Sequence, residues 1–155
     1  RKCWFAIIDK QKSIVDAWII RNNTPRNTRK EIVYQMNNIY EYLISLSEKY
    51  TIDAIGIEHL LFTQNNKANA EFIYWLRGSL LMYFQKQNIK LFEFNPTSIK
   101  KNITGNGKAQ KSLMQKCIQN IFQLENLPSF DDTADALAIA YLSMKYMNKP
   151  TFTTK

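Results

Sequence analysis

Ile52-Asp53-Ala54-Ile55-Gly56-Ile57-Glu58 is the stretch on which the fold turns. It is a short apolar run that ends in a carboxylate, and it lies between two long segments of helical periodicity. Before it, Thr28 and Glu31 have the spacing of a capping box. Ile32, Met36, Ile39, Leu43 and Leu46 then recur at helical intervals to about Tyr50. After a loop over 59–67, Phe72, Trp75, Leu76, Leu80 and Phe84 carry a helical pattern across 68–88. A brief apolar run between two helices reads as a buried parallel strand, since helices covering both faces leave it no polar side to show.

Working outward, Lys90 to Phe94 predicts the next strand. Asn95-Pro96 places a cap residue before a proline at the first helical position, opening a short helix to about Ile103. Gly105-Asn106-Gly107 ends it. A helix is predicted over 109–124, a loop around Pro128, and a last helix from near Asp131 to about Tyr146. Upstream, the apolar runs 4–8 and 14–21 flank Asp9-Lys10-Gln11-Lys12-Ser13 and read as a β-hairpin, followed by a polar loop over 22–27. The order β-β-α-β-α-β-α-α-α predicts an α/β fold, a mixed central sheet flanked by helices. It forms a single domain over 1–147 with a polar tail at 148–155.

The chain has 155 residues, 45% of them hydrophobic, with 4 Gly and 4 Pro, so a real core is expected and disorder is not. Cys3 and Cys117 are too few for a zinc site or a disulfide framework and read as inert thiols of a reducing compartment. No segment is long and apolar enough to cross a bilayer. The chain begins without an initiator Met and reads as an N-terminally incomplete piece of a cytoplasmic protein. Lys and Arg number 21 against 13 acids, a net charge of +8 that favours an anionic partner.

Three carboxylates stand out by placement. Glu58 closes its strand, where α/β sheets bind ligands. Asp132 and Asp135, three apart, project from one face at the start of the last helix, ahead of the small-residue run Ala136-Leu137-Ala138-Ile139-Ala140. Acids there also serve as caps and dipole partners. Converging in one cleft, they would repel one another and take up Mg²⁺, an oxygen-seeking ion able to activate water at a phosphodiester. A basic stretch, Lys100-Lys101-Asn102-Ile103-Thr104-Gly105-Asn106-Gly107-Lys108-Ala109-Gln110-Lys111, offers two glycines for close backbone approach and a following helix start, both suited to phosphate. It is no ATP-binding loop: Asn102 stands where the first Gly belongs, and Ala109 where Ser or Thr belongs.

These pieces, in this order, resemble the RuvC family of Holliday-junction resolvases over nearly the whole chain. The resemblance is carried by Ala54–Glu58, the Arg77-Gly78 pair, Lys100–Lys111 and Asp132–Ala140. It implies an RNase H-like fold, a homodimer, and four acids working with Mg²⁺ or Mn²⁺ on four-way junction DNA, in partnership with a branch-migration helicase. By match, Glu58, Asp132 and Asp135 are the second, third and fourth acids. Lys100 and Lys111 contact phosphate, with Lys101, Lys108 and Arg77 as further DNA contacts and Gly105 and Gly107 shaping the turn. The family's first acid would lie just before Arg1. Asp9, which also ends an apolar run, is the weaker substitute. The aromatic wedge falls at Leu61 or its neighbour Phe62. His59 is read as a loop residue near phosphate. The alternatives are a non-cleaving junction-binding protein and another RNase H-like nuclease of the YqgF-like, RNA-processing kind.

Overall fold

The computed structural model describes residues 2–21, 28–59, 67–128 and 131–148. Its elements follow the expected order. They are β1 (Lys2–Ile8), β2 (Ile14–Arg21), α1 (Arg29–Lys49), β3 (Ala54–Glu58), α2 (Lys67–Lys86), β4 (Lys90–Phe94), α3 (Pro96–Thr104), α4 (Lys111–Phe122) and α5 (Asp131–Met147). Among the described residues β1 pairs with β2, and β3 with β4.

The β1–β2 hairpin is closed by Asp9. Its carboxylate accepts the backbone N–H groups of Gln11 at 2.9 Å and Ser13 at 2.7 Å. Lys12 takes the left-handed backbone at the tip, with φ 68°. The β3–β4 pair is parallel. Lys90 N–H donates to Asp53 O beside the strand starts, and His59 N–H to Phe94 O at their ends. The crossover between them is α2, the connection that a parallel pair requires.

The chain divides into two compact units. The first comprises Arg1–Cys3, Ile19–Asp53 and Leu60–Leu91 and holds α1 and α2. The capping box starts α1 as expected: Thr28 Oγ1 accepts Glu31 N–H, and the Glu31 carboxylate accepts Thr28 N–H at 2.8 Å. Ile39 and Leu46 are buried on its inner face. Trp75, one of the residues that carry the helical pattern of α2, is 46% exposed. It serves as a platform: the Arg29 guanidinium lies 5.1 Å from its ring centre while pairing with Glu71 at 2.9 Å.

The second unit comprises Trp4–Trp18, Ala54–His59 and Phe92–Lys155. Its core is Phe94, Ile99, Met114, Ile118, Ala134, Leu137, Ala138 and Leu142, backed by Ala6, Ile8 and Ile14 of the hairpin. This core ties α3, α4 and α5 to Phe94 of β4. Ile118, Leu137 and Leu142 are fully buried, each worth about 1.5–3 kcal/mol on removal from water. The helix predicted over 109–124 begins at Lys111, because Ala109 is buried in the preceding turn.

Candidate active site

Glu58 ends β3, and α5 carries Asp132 and Asp135 in its first two turns. What brings Glu58 and Asp135 together is the packing of α5 on β3. A Cβ on Gly56 would stand 2.1 Å from Ser143 Oγ and 2.7 Å from Ile139 Cγ2, so only glycine lets the helix lie this close to the strand. Ser143 Oγ donates to the Ile139 carbonyl at 2.8 Å, which keeps this polar group satisfied at the contact. Ala134 and Ala138 are buried in the core that α5 shares with α3 and α4.

The consequence is electrostatic. Burial pushes the Glu58 carboxyl above the usual carboxylate range, and the neighbouring charge of Asp135 pushes it further. Asp132 is exposed on the first turn of α5. Among the described residues no three His, Cys, Asp or Glu side chains stand close enough together to hold a metal ion. The structure thus couples two of the three predicted acids and does not draw Asp132 into a cluster with them.

The basic stretch folds as the end of α3, a turn, and the start of α4. Gly105 is the C-cap of α3 in the left-handed region, φ 79°, and its N–H donates to Lys101 O. A Cβ on Gly107 would stand 2.9 Å from Thr97 Cγ2 and 3.3 Å from Thr97 O. In the structure Gly105 supplies a backbone conformation, and Gly107 lets the turn press on α3. Lys101, Lys108 and Lys111 are exposed and Lys100 half-buried. Sequence reading passed over Thr104 and Asn106, whose side chains bind the turn together. An Asn flanked by two glycines was the available signal.

Arg77 lies half-buried on α2 in the first unit. Leu61 and Phe62 fall outside the described residues. His59 Nδ1 is 3.1 Å from Glu93 Oε2, an exposed pair at the strand ends. Asp9, the weaker substitute for the first acid, has its carboxylate engaged in the hairpin turn. Burial raises the Cys3 thiol, which suits the inert reading.

The sequence profile of the crossover junction endodeoxyribonuclease RuvC family matches residues 1–142. The chain belongs to the RuvC family. RuvC of Halothermothrix orenii is 32% identical over 139 residues, covering 88% of this chain and 81% of the relative. RuvC of Brachyspira hyodysenteriae is 36% identical over 142 residues, covering 90% and 84%. Among solved structures, Thermus thermophilus RuvC superposes with a TM-score of 0.72 at 18% identity, over 90% of this chain and 83% of that one. The T. thermophilus RuvC complex with Holliday junction substrate gives 0.74 at 17% identity with the same coverage. The mixed α/β architecture is accordingly the RNase H-like fold of RuvC structures. Crossover junction endodeoxyribonuclease is the activity for which the RuvC family is named.

Proposed function

We propose that this chain cuts four-way DNA junctions by hydrolysing phosphodiester bonds, with Glu58, Asp135 and Asp132 as its acids and the turn over 100–111 as its grip on the backbone. The single observation that carries this reading is the Glu58–Asp135 pair. A strand end and a helix start, brought together by a glycine contact, set one carboxyl where burial and a like charge both disfavour its ionisation.

Such a pair fits a divalent cation, whose charge reverses both effects and whose ligand preference is oxygen. Mg²⁺ or Mn²⁺ would be held by Glu58 and Asp135, with Asp132 on the adjoining turn as a further oxygen donor, and would supply a water nucleophile and charge neutralisation. The protein's own part is placement. α5 fixes Asp135 against β3, and the lysines of the turn hold the DNA backbone by charge, which gives affinity without sequence information. Junction shape then supplies selectivity. We assign the chain to a homodimer, whose two-fold axis would match that of a junction cut at two symmetric points. Tyr74 and Met82, 40% and 63% exposed on α2, supply apolar surface for a partner. A branch-migration helicase would deliver the junction in the cytoplasm.

The test uses the full product of the reading frame, a labelled four-way junction and a matched duplex, with Mg²⁺ or EDTA. Paired, metal-dependent nicks in the junction alone are expected. Glu58→Gln and Asp135→Asn should each lower cleavage at least about a hundredfold while leaving junction affinity in place. Junction binding without cutting under any divalent ion would make this a binding protein. Cleavage of RNA with no junction preference would make it a different nuclease of the same fold.

A further inference from the structure

The turn between α3 and α4 contains more hydrogen bonding than a solvated basic loop needs. Thr104 Oγ1 stands 2.8 Å from the carbonyl of Lys100 and 3.0 Å from that of Asn106, either of which can take its proton, and it accepts Asn106 N–H at 3.1 Å. Asn106 Oδ1 accepts Lys108 N–H at 2.9 Å, and Asn106 O accepts Ala109 N–H at 3.1 Å. Around these bonds the backbone is held by the Gly105 cap and by the press of Gly107 on Thr97. Ala109, 4% exposed, anchors the exit of the turn two residues before Lys111.

Every lysine of the stretch is therefore tied to this pair by a short path. The carbonyl of Lys100 is within hydrogen-bond reach of Thr104. The carbonyl of Lys101 accepts from Gly105, the residue between Thr104 and Asn106. The N–H of Lys108 donates to Asn106. Lys111 follows the Ala109 anchor. Lysine is a poor positioning group by itself, a point charge on a long flexible stem. What can fix such charges is the backbone beneath them. With a floppy turn, each phosphate contact would first have to order the chain.

We infer that Thr104 and Asn106 are positioning residues for DNA: together they pre-form the turn, so that Lys100, Lys101, Lys108 and Lys111 meet backbone phosphates as a set. The role rests on the reading of this turn as the DNA grip. It is separate from the acids, which stand on β3 and α5, whereas the side-chain hydrogen bonds of Thr104 and Asn106 run to Lys100, Lys108 and each other. It also separates two kinds of residue in one segment, lysines that touch the nucleic acid and two polar side chains that act through them.

The test measures junction affinity across a salt series in EDTA, where nothing is cut, together with thermal melting. Thr104→Val keeps the shape and removes the hydroxyl. Asn106→Ala removes the acceptor for Lys108 N–H. Thr104→Ser restores the hydroxyl. The expected result is about tenfold weaker junction binding for Thr104→Val and Asn106→Ala, with the slope of log affinity against log salt less negative by about one, the signature of a lost phosphate contact. Thr104→Ser should recover both. Unchanged affinity and slope in both variants, with or without a lower melting temperature, would overturn the inference and leave the nuclease reading standing. A wild-type protein that binds no junction would instead sink the nuclease reading. If Thr104→Val fails to melt cooperatively, Asn106→Ala on the exposed side of the turn decides alone.

Discussion

The acid pair and the basic turn sit in one compact unit and are built in opposite ways. The turn over 100–111 is local except where Gly107 presses on Thr97 of α3. Its hydrogen bonds join residues two to four apart, its glycine cap lies within it, and the side chains of Thr104 and Asn106 find partners close in sequence. The acid pair is long-range. Glu58 and Asp135 meet only because α5 packs onto β3, and their meeting works against the charge of Glu58. The turn is satisfied without a ligand, whereas the acid pair is arranged at some cost to itself. Strain confined to the chemical end of a site, with a relaxed binding end, is what a nuclease that must grip DNA first and hydrolyse it second would require.

Two glycines break this comparison most directly. Gly56→Ala puts a methyl group 2.1 Å from Ser143 Oγ and 3.2 Å from the Ile139 backbone carbonyl, so α5 must move off β3. Overpacking of this kind costs about 1–3 kcal/mol. Because Glu58 lies two residues further along the strand, cleavage should fall more than junction binding does. Urea unfolding and a cleavage-against-binding assay on one preparation would check both parts. Gly105→Ala meets no neighbour within 4 Å, so its penalty is conformational only. An L residue at φ 79° costs about 1 kcal/mol. Here the order reverses, and junction affinity should fall more than the turnover of bound junction. If both substitutions lowered binding and turnover in parallel, the two regions would not be separable as described.

How far this division was legible in the sequence follows the same line. Local features were readable. The capping box of Thr28 and Glu31, the hairpin around Asp9-Lys10-Gln11-Lys12-Ser13, the proline opening α3 and the left-handed Gly105 each depend on neighbours within a few residues. The strand at 54–58 was recognisable because helices on both sides left few alternatives for an apolar run. Long-range outcomes were not. Trp75 is part of the helical pattern, but its pairing with Arg29 at the surface joins two helices and no spacing within α2 points to it. The purpose of Gly107 depended on Thr97, ten residues away on α3. Asp132 and Asp135 share a helix face in any helical reading, but which of them reaches Glu58 depends on how α5 docks. The RuvC resemblance named both acids and could not rank them.

The smallest effect probes the cost itself. Glu58 has a folded-state pKa above its ordinary value, so between that ordinary value and the raised one the native protein binds more protons than the unfolded chain. Stability should therefore fall as pH rises through this window and stay lowered above it. Glu58 is partly exposed, so solvent screening keeps the effect under about 1 kcal/mol. Glu58→Gln removes the titrating group. In EDTA the variant should gain on the wild type in melting temperature as pH rises above about 4.5, with the two converging in acid. Added Mg²⁺ should close the gap at neutral pH by stabilising only the wild type, because the ion favours the charged carboxylate that the fold otherwise penalises. Asp135→Asn should recover part of the same gain, in proportion to its share of the shift. A gap that ignored both pH and Mg²⁺ would mean that Glu58→Gln acts through packing, and the acid pair would then be no more strained than the turn.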